Sequence, residues 1–340
     1  MSLSSTAPTP PSHAPLPQEA MPEQQLWDTI VIGGSAAGLS AALTLGRARR
    51  TVLVVDSGLP RNRFAAHMHG VLGHEGLDPA QLISRGQREA AMYGAKFVSA
   101  RVTEVAEATS ENLRSMRITL EDDRAVFART VIAATGLTDR LPEIPGLAER
   151  WGTSVLHCPY CHGWEVRGQR LGVLSNGPMS AHVGQLLRQW SDDLTFFSAN
   201  AGELDEEVLH RLAARGVQVE PTPVTEVRGA GSSISDVLLA DGRAVELDAI
   251  FAVATMTPND SYLNGLNLER SETPMGSFLA VDPMFRTSHS QVWAAGNVAN
   301  PGANVPLSIS SGNFAGAAAN AAMVEEDFDA AVAGAHSPSA

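Results

Sequence analysis

An apolar run, Thr29-Ile30-Val31-Ile32, breaks at once into Gly33-Gly34-Ser35-Ala36-Ala37-Gly38 and continues as Leu39-Ser40-Ala41-Ala42-Leu43. Few folds admit this order of buried strand, tight turn and helix start; it is how a dinucleotide-binding unit on a parallel sheet begins. Gly33 permits the turn, Gly38 lets the helix pack closely on the strand, and the helix N-terminus then faces bound phosphates. Ser35 stands where the second fingerprint glycine usually lies, and it is small enough to let a pyrophosphate approach. A second strand, Thr51-Val52-Leu53-Val54-Val55, ends at Asp56, an acid suited to the adenosine ribose hydroxyls. The plainer reading is a Gly-rich surface loop. Strand, helix, second strand and terminal acid in one order favour nucleotide binding instead.

Both cysteines of the 340-residue chain lie in Leu156-His157-Cys158-Pro159-Tyr160-Cys161-His162-Gly163. Two intervening residues let the sulfurs close a small disulfide ring and reopen it, the geometry of a redox dithiol. As a staple, so short a ring removes little chain entropy. A four-cysteine zinc site lacks ligands, and a mixed site with His157 or His162 asks adjacent residues to chelate one ion. Redox use is favoured, and no metal is expected. An ordinary cysteine, with a pKa near ~8.5, is mostly protonated at neutral pH, so a neighbouring base helps. His162 has the right intrinsic pKa, near ~6.5; His157 is the weaker candidate. Glu165 either orients an imidazole or is a solvated charge, and the second is favoured.

An apolar content of 44% supports packed domains, and the net charge of −13 argues against nucleic acid or an anionic membrane as partner. No apolar run approaches bilayer length and no signal peptide opens the chain, so a soluble cytoplasmic enzyme is expected. Residues 1–25 are predicted to be disordered, with Met21 a second candidate start, and 327–340 to form a flexible tail. Between them strands and helices alternate: a helix over 77–93, strands from Lys96, over 113–120 and over 125–134, and a Pro/Gly hinge at 141–146. A second α/β unit starts at 169–174, with a helix over 182–190 and a strand over 194–197. A boundary is placed near Thr273-Pro274-Met275-Gly276, and a last helix over 311–323. The fold predicted is α/β, with two Rossmann-like three-layer domains. The first is discontinuous (26–142 and 275–326), and the second, 143–274, is inserted into it.

Over residues 27–325 the chain resembles the low-molecular-weight thioredoxin reductases. The glycine turn, Thr135-Gly136, the C-x-x-C at the start of the inserted domain and Trp293-Ala294-Ala295-Gly296 carry the likeness. The resemblance implies FAD lying against the cysteine pair, and a homodimer. It implies FAD contacts from Gly33, Gly34, Ser35, Ala36, Ala37, Gly38, Asp56, Arg61, Asn62, His69, Val102, Thr135, Gly136, Gly296, Asn297 and Val305. Asn297 replaces the aspartate usual in that family.

Other departures bear on function. Where those reductases have a second glycine fingerprint for NADPH, this chain has Leu174-Ser175-Asn176-Gly177-Pro178-Met179-Ser180. Where they have His-Arg-Arg for the 2′-phosphate, it has Ser198-Ala199-Asn200. A late Gly-x-x-Pro-Asn signal becomes Ala254-Thr255-Met256-Thr257-Pro258-Asn259. NADPH is therefore not expected to bind, although a helix N-terminus alone could still hold phosphates. His162 replaces the aspartate that follows the second cysteine. That stretch resembles the FAD-dependent dithiol oxidases that close the disulfides of gliotoxin, holomycin and romidepsin, and His67-Met68-His69 suits the same group. The resemblance implies oxidation of a small-molecule dithiol through Cys158 and Cys161, with O2 as acceptor and H2O2 as product. Two rivals stand: a disulfide reductase fed by NAD(P)H, ferredoxin or reduced flavin, and a flavin redox sensor with little turnover.

Overall fold

The computed structural model describes residues 26–110, 113–177 and 179–335; the predicted disorder of 1–25 and the bulk of Pro178 lie outside them. A seven-stranded sheet forms the first domain. Its parallel part joins Lys96–Ser99, Val52–Asp56, Leu26–Ile32, Ala125–Ala133 and Val292–Ala294. The strands Leu113–Leu120 and Val102–Ser110 extend it antiparallel. The parallel strands are apolar throughout because both faces are covered. Ile30, Ile32, Leu53 and Val55 face a core shared with Val105, Met116 and Ile118. Val31, Val54 and Ile132 alternate to the other face, under Ala41 and Leu45 of the helix Ala36–Arg47 and Ala315 and Ala319 of the last helix.

The inserted domain carries a five-stranded parallel sheet in the order Gln218–Glu220, Leu194–Phe197, Leu171–Leu174, Ala249–Ala252, Val155–Leu156. A three-stranded antiparallel layer covers one face and the helices Ser180–Leu187 and Glu206–Ala214 the other. The chain passes between domains through an antiparallel ribbon, Leu137–Arg140 against Thr255–Pro258.

Two expectations need correction. Thr273–Gly276 is not a domain boundary but the tip of a hairpin between Arg270–Thr273 and Gly276–Leu279. Tyr262, Leu263 and Leu279 already pack in the first core, so the chain returns at the ribbon; a Pro/Gly pair marks a tight turn as readily as a linker. The last helix runs Val305–Ala335, 31 residues, through much of the supposed tail. Asp327 pairs with Arg129 at 2.8 Å and Arg50 at 3.0 Å, and Glu326 with Arg129 at 3.1 Å. These ion pairs and a helix-favouring run of alanines hold it on the domain. Among the described residues no helix is long and apolar enough to cross a membrane.

Candidate active site

Because the central strands are parallel, their C-terminal ends share one edge of the first sheet, and the predicted cofactor residues collect there. Gly33 follows Leu26–Ile32, Asp56 closes Val52–Asp56, Thr135 and Gly136 follow Ala125–Ala133, and Gly296 and Asn297 follow Val292–Ala294. Val102 begins its strand just after Ala100, whose N–H donates to Asp56 O at 3.0 Å, and Val305 begins the last helix. Gly33 has φ +106°, and a Cβ at Gly38 would collide with Gly33 O. A side chain at Gly34 would lie 2.9 Å from Asp56 Cβ, so the turn runs directly beneath the acid. Ser35 precedes the helix in extended geometry, yet its hydroxyl caps nothing. The first-turn N–H groups of Ala36 and Ala37 are thus left to an anion. A turn with open donors beside a strand-end carboxylate fits the pyrophosphate and ribose of FAD.

Three residues implied as cofactor contacts make protein contacts. Arg61, in the short turn Arg61–Phe64 with Asn62, grips Asp139 through Nε at 2.7 Å and Nη2 at 2.6 Å. The same Nη2 lies 3.1 Å from His157 Nε2. His69 stands between carboxylates, Nδ1 2.7 Å from Glu75 and Nε2 3.6 Å from Glu165. Asn297 Nδ2 donates to the carbonyls of Asn300 (3.0 Å), Pro301 (3.2 Å) and Ala303 (2.8 Å). An aspartate could not donate to any of the three, which gives this departure from the family a physical reason. Asp139 was missed by sequence reasoning, since only the ribbon brings it to Arg61. Glu165 is half-exposed but not merely solvated, since its carboxylate lies 3.6 Å from His69 Nε2.

The cysteines open the short helix Pro159–His162: Cys158 is its extended N-cap and Pro159 its first residue, where a missing N–H costs nothing. Cys158 O accepts from the N–H groups of Cys161 (3.1 Å) and His162 (3.2 Å). Both cysteines are free and half-buried. The Cys158 thiol is brought down to about 7, first by the Cys161 S–H, then by the N–H groups of Cys161 and Tyr160 and by Arg61, against burial. The Cys161 thiol is pushed up by Cys158 and by burial. The pair therefore releases one proton near neutrality and holds the second. Burial, and then the Arg61 guanidinium, lower His157 to about 4. Burial lowers His162 too, with Glu165 opposing. Both rings are neutral at physiological pH, and the Nδ1 atom of each is buried and makes no close hydrogen bond among the described residues; the backbone of Ala252 bears on His157 and that of Cys158 on His162. Within those residues no three His, Cys, Asp or Glu side chains are arranged to hold a metal ion.

From residue 27 to 322 the sequence matches the pyridine nucleotide-disulphide oxidoreductase family. The chain belongs to that family. It is 31% identical over 309 residues to thioredoxin reductase sirT of Leptosphaeria maculans, covering 87% of this chain and 94% of the relative. The crystal structure of HlmI superposes with a TM-score of 0.87 at 40% identity, covering 93% of this chain and 98% of HlmI. An oxidoreductase from Agrobacterium tumefaciens gives 0.82 at 40% identity, over 88% of this chain and 99% of that one. This pyridine nucleotide-disulphide oxidoreductase is a thioredoxin-reductase-like flavin thiol/disulfide oxidoreductase, and its cofactor is FAD.

Proposed function

We propose that this family member is a dithiol oxidase. It closes an intramolecular disulfide in a small-molecule dithiol and passes the electrons to O2, giving H2O2, as a cytoplasmic homodimer that uses no NADPH. The observation that carries this reading is the second glycine turn, after Leu171–Leu174. There the Asn176 N–H donates to Ser180 Oγ at 2.8 Å, the Gly177 N–H to Asn200 O at 2.7 Å, and the Asn200 N–H to Ser175 Oγ at 3.2 Å. Ser175 and Ser180 are buried, so donors that would meet a pyrophosphate already have partners within the chain. The neighbouring Ser198-Ala199-Asn200 offers no cation to a 2′-phosphate. The third departure, 254–259, does not add to the case. Thr255–Pro258 is a ribbon strand, and Asn259 bonds to Thr135 and Thr138 of the first domain.

The chain's own groups suit the chemistry. Neutral His162 takes the proton of a substrate thiol. The substrate thiolate attacks Cys158 Sγ; a sulfur–sulfur bond forms to the substrate, and the Cys158–Cys161 bond breaks with its electron pair on Cys161. The substrate's second thiolate then attacks its own sulfur in the mixed disulfide and expels Cys158. A thiol lowered to about 7 leaves readily. One disulfide is made and one consumed, and two electrons and two protons rest on the protein dithiol. Bound FAD supplies the two-electron step that returns the dithiol to disulfide and delivers electrons and protons to O2.

Mixing the flavoprotein with dithiothreitol in air should release one H2O2 per dithiol consumed. NADPH added without oxygen should leave the flavin colour intact, and prompt bleaching would refute the oxidase reading in favour of a reductase.

A further inference from the structure

We propose that Arg61 is a positioning residue. It ties the cysteine segment of the inserted domain to the first domain, and it fixes which ring nitrogen of His157 carries the proton. This inference rests on Cys158 and Cys161 being the working dithiol, and it is independent of the electron acceptor.

Four chain segments converge on one guanidinium. Its Nε and Nη2 form a two-pronged pair with Asp139, on the ribbon strand Leu137–Arg140 and with only 7% of its side chain exposed. Nη1 donates to Pro301 O at 3.4 Å, a carbonyl that Asn297 Nδ2 also reaches. Nη2 lies 4.0 Å from Met256 Sδ on the opposing ribbon strand and 3.1 Å from His157 Nε2. Guanidinium has donors and no acceptor. His157 Nε2 must therefore accept, and the one proton of the neutral ring sits on Nδ1. That Nδ1 is buried and makes no close hydrogen bond among the described residues; the backbone acceptor that bears on the ring is Ala252. His157, with Nε2 occupied, cannot act as the base, and His162 is left for that role. A lysine could not reproduce the arrangement, because an ammonium lacks the planar fork that meets both Asp139 oxygens while reaching His157.

The charged and titratable groups bearing on His157 are Arg61, Asp139 and His162, and Arg61 also bears on both thiols. Arg61→Met and Arg61→Lys, made in the FAD-loaded full chain, separate the possibilities. The reduced proteins are alkylated with iodoacetamide across pH without oxygen, and Cys158 labelling is read by peptide mass. In parallel, 15N-histidine spectra, assigned with His157→Asn, report the tautomer. In Arg61→Met the labelling midpoint should move to higher pH, with a severalfold slower rate at pH ~6.5. His157 should lose its single Nδ1–H pattern, and Arg61→Lys should fall between parent and Arg61→Met. A parental midpoint and tautomer in Arg61→Met would overturn the proposal. So would loss of flavin from Arg61→Met alongside a parental profile in Arg61→Lys, since Arg61 would then serve the cofactor. Neither readout needs turnover, so a protein that fails to reduce oxygen still reports on Arg61.

Discussion

The two domains of this oxidoreductase each run a parallel strand into a glycine turn and a helix, and they treat the turn's backbone donors in opposite ways. Neither helix has a side-chain cap, at Ser35 or at Met179; the difference lies in the turns that lead into them, and after Leu26–Ile32 the Ser35 side chain does not fold back onto the backbone. After Leu171–Leu174, the hydroxyls of Ser175 and Ser180 fold back onto the backbone, and Asn200 O takes a further donor. A turn leading into a helix cradles an anion only while its donors are unsatisfied. The same supersecondary unit can therefore be a nucleotide site or a self-contained scaffold, depending on where two or three small polar side chains point. On the oxidase reading proposed above, the inserted domain serves to carry Cys158 and Cys161 to the first domain.

The harshest way to break the contrast is a methyl group in each turn. Gly38→Ala places a Cβ against Gly33 O, and the first turn cannot keep its path. Flavin absorbance in the purified protein should be lost, and peroxide release with it. Gly177 has φ +92° with open space around it, so Gly177→Ala should cost only about 1–3 kcal/mol of backbone strain, seen as a lowered Tm. Its flavin content and dithiol oxidation should match the parent. Equal flavin loss in both variants would mean that the two turns are not functionally distinct.

Next in size are the cysteines. Cys158→Ser and Cys161→Ser should each keep FAD yet lower peroxide release by ~10³-fold or more, the double variant losing no more than either single one, as for residues acting as a unit. Substantial oxidation by either would show that the dithiol reaches the flavin without the protein pair.

This contrast was partly legible in the sequence. Gly33 to Gly38 and Asp56 stood out because a phosphate-binding turn must be built from small residues at fixed spacing, and the cysteine pair because it is local. The closure of the second turn was not legible: Ser180 reaches back across four residues and Asn200 arrives from the next strand. Nor was the role of Arg61, whose partners lie 78 and 96 residues away. The chain order cannot reveal which side chains a ribbon crossing brings together. Residues 273–276 misled for the converse reason, since a hairpin tip and a linker use the same residues.

A smaller effect belongs to the histidines. His162→Ala should slow dithiol oxidation by about 10²-fold and move its pH profile, in line with loss of a general base. In the reduced parent, labelling of Cys158 should be half-maximal at about pH 7 and fall as the pH drops and the thiol regains its proton. His157 contributes to stability in a separate window. It takes a proton in the fold only near about 4, whereas an unfolded imidazole does so near ~6.5. The unfolded chain therefore binds more protons between those values, and thermal stability should decline as the pH falls through them. A His157→Phe variant with the same acid decline would remove that assignment.

The finest test sets two serines against each other at matched turns. Ser180→Ala strands the half-buried Asn176 N–H, at a cost of about 1 kcal/mol for the lost hydrogen bond. Ser35→Ala removes a hydroxyl that caps nothing, and it should change stability by less than about 0.5 kcal/mol. Urea titrations of the two FAD-loaded variants make the comparison directly. If Ser35→Ala proved the more damaging, the hydroxyl at 35 would be holding a backbone donor after all. The open and the closed turn would then differ less than their hydrogen bonds indicate.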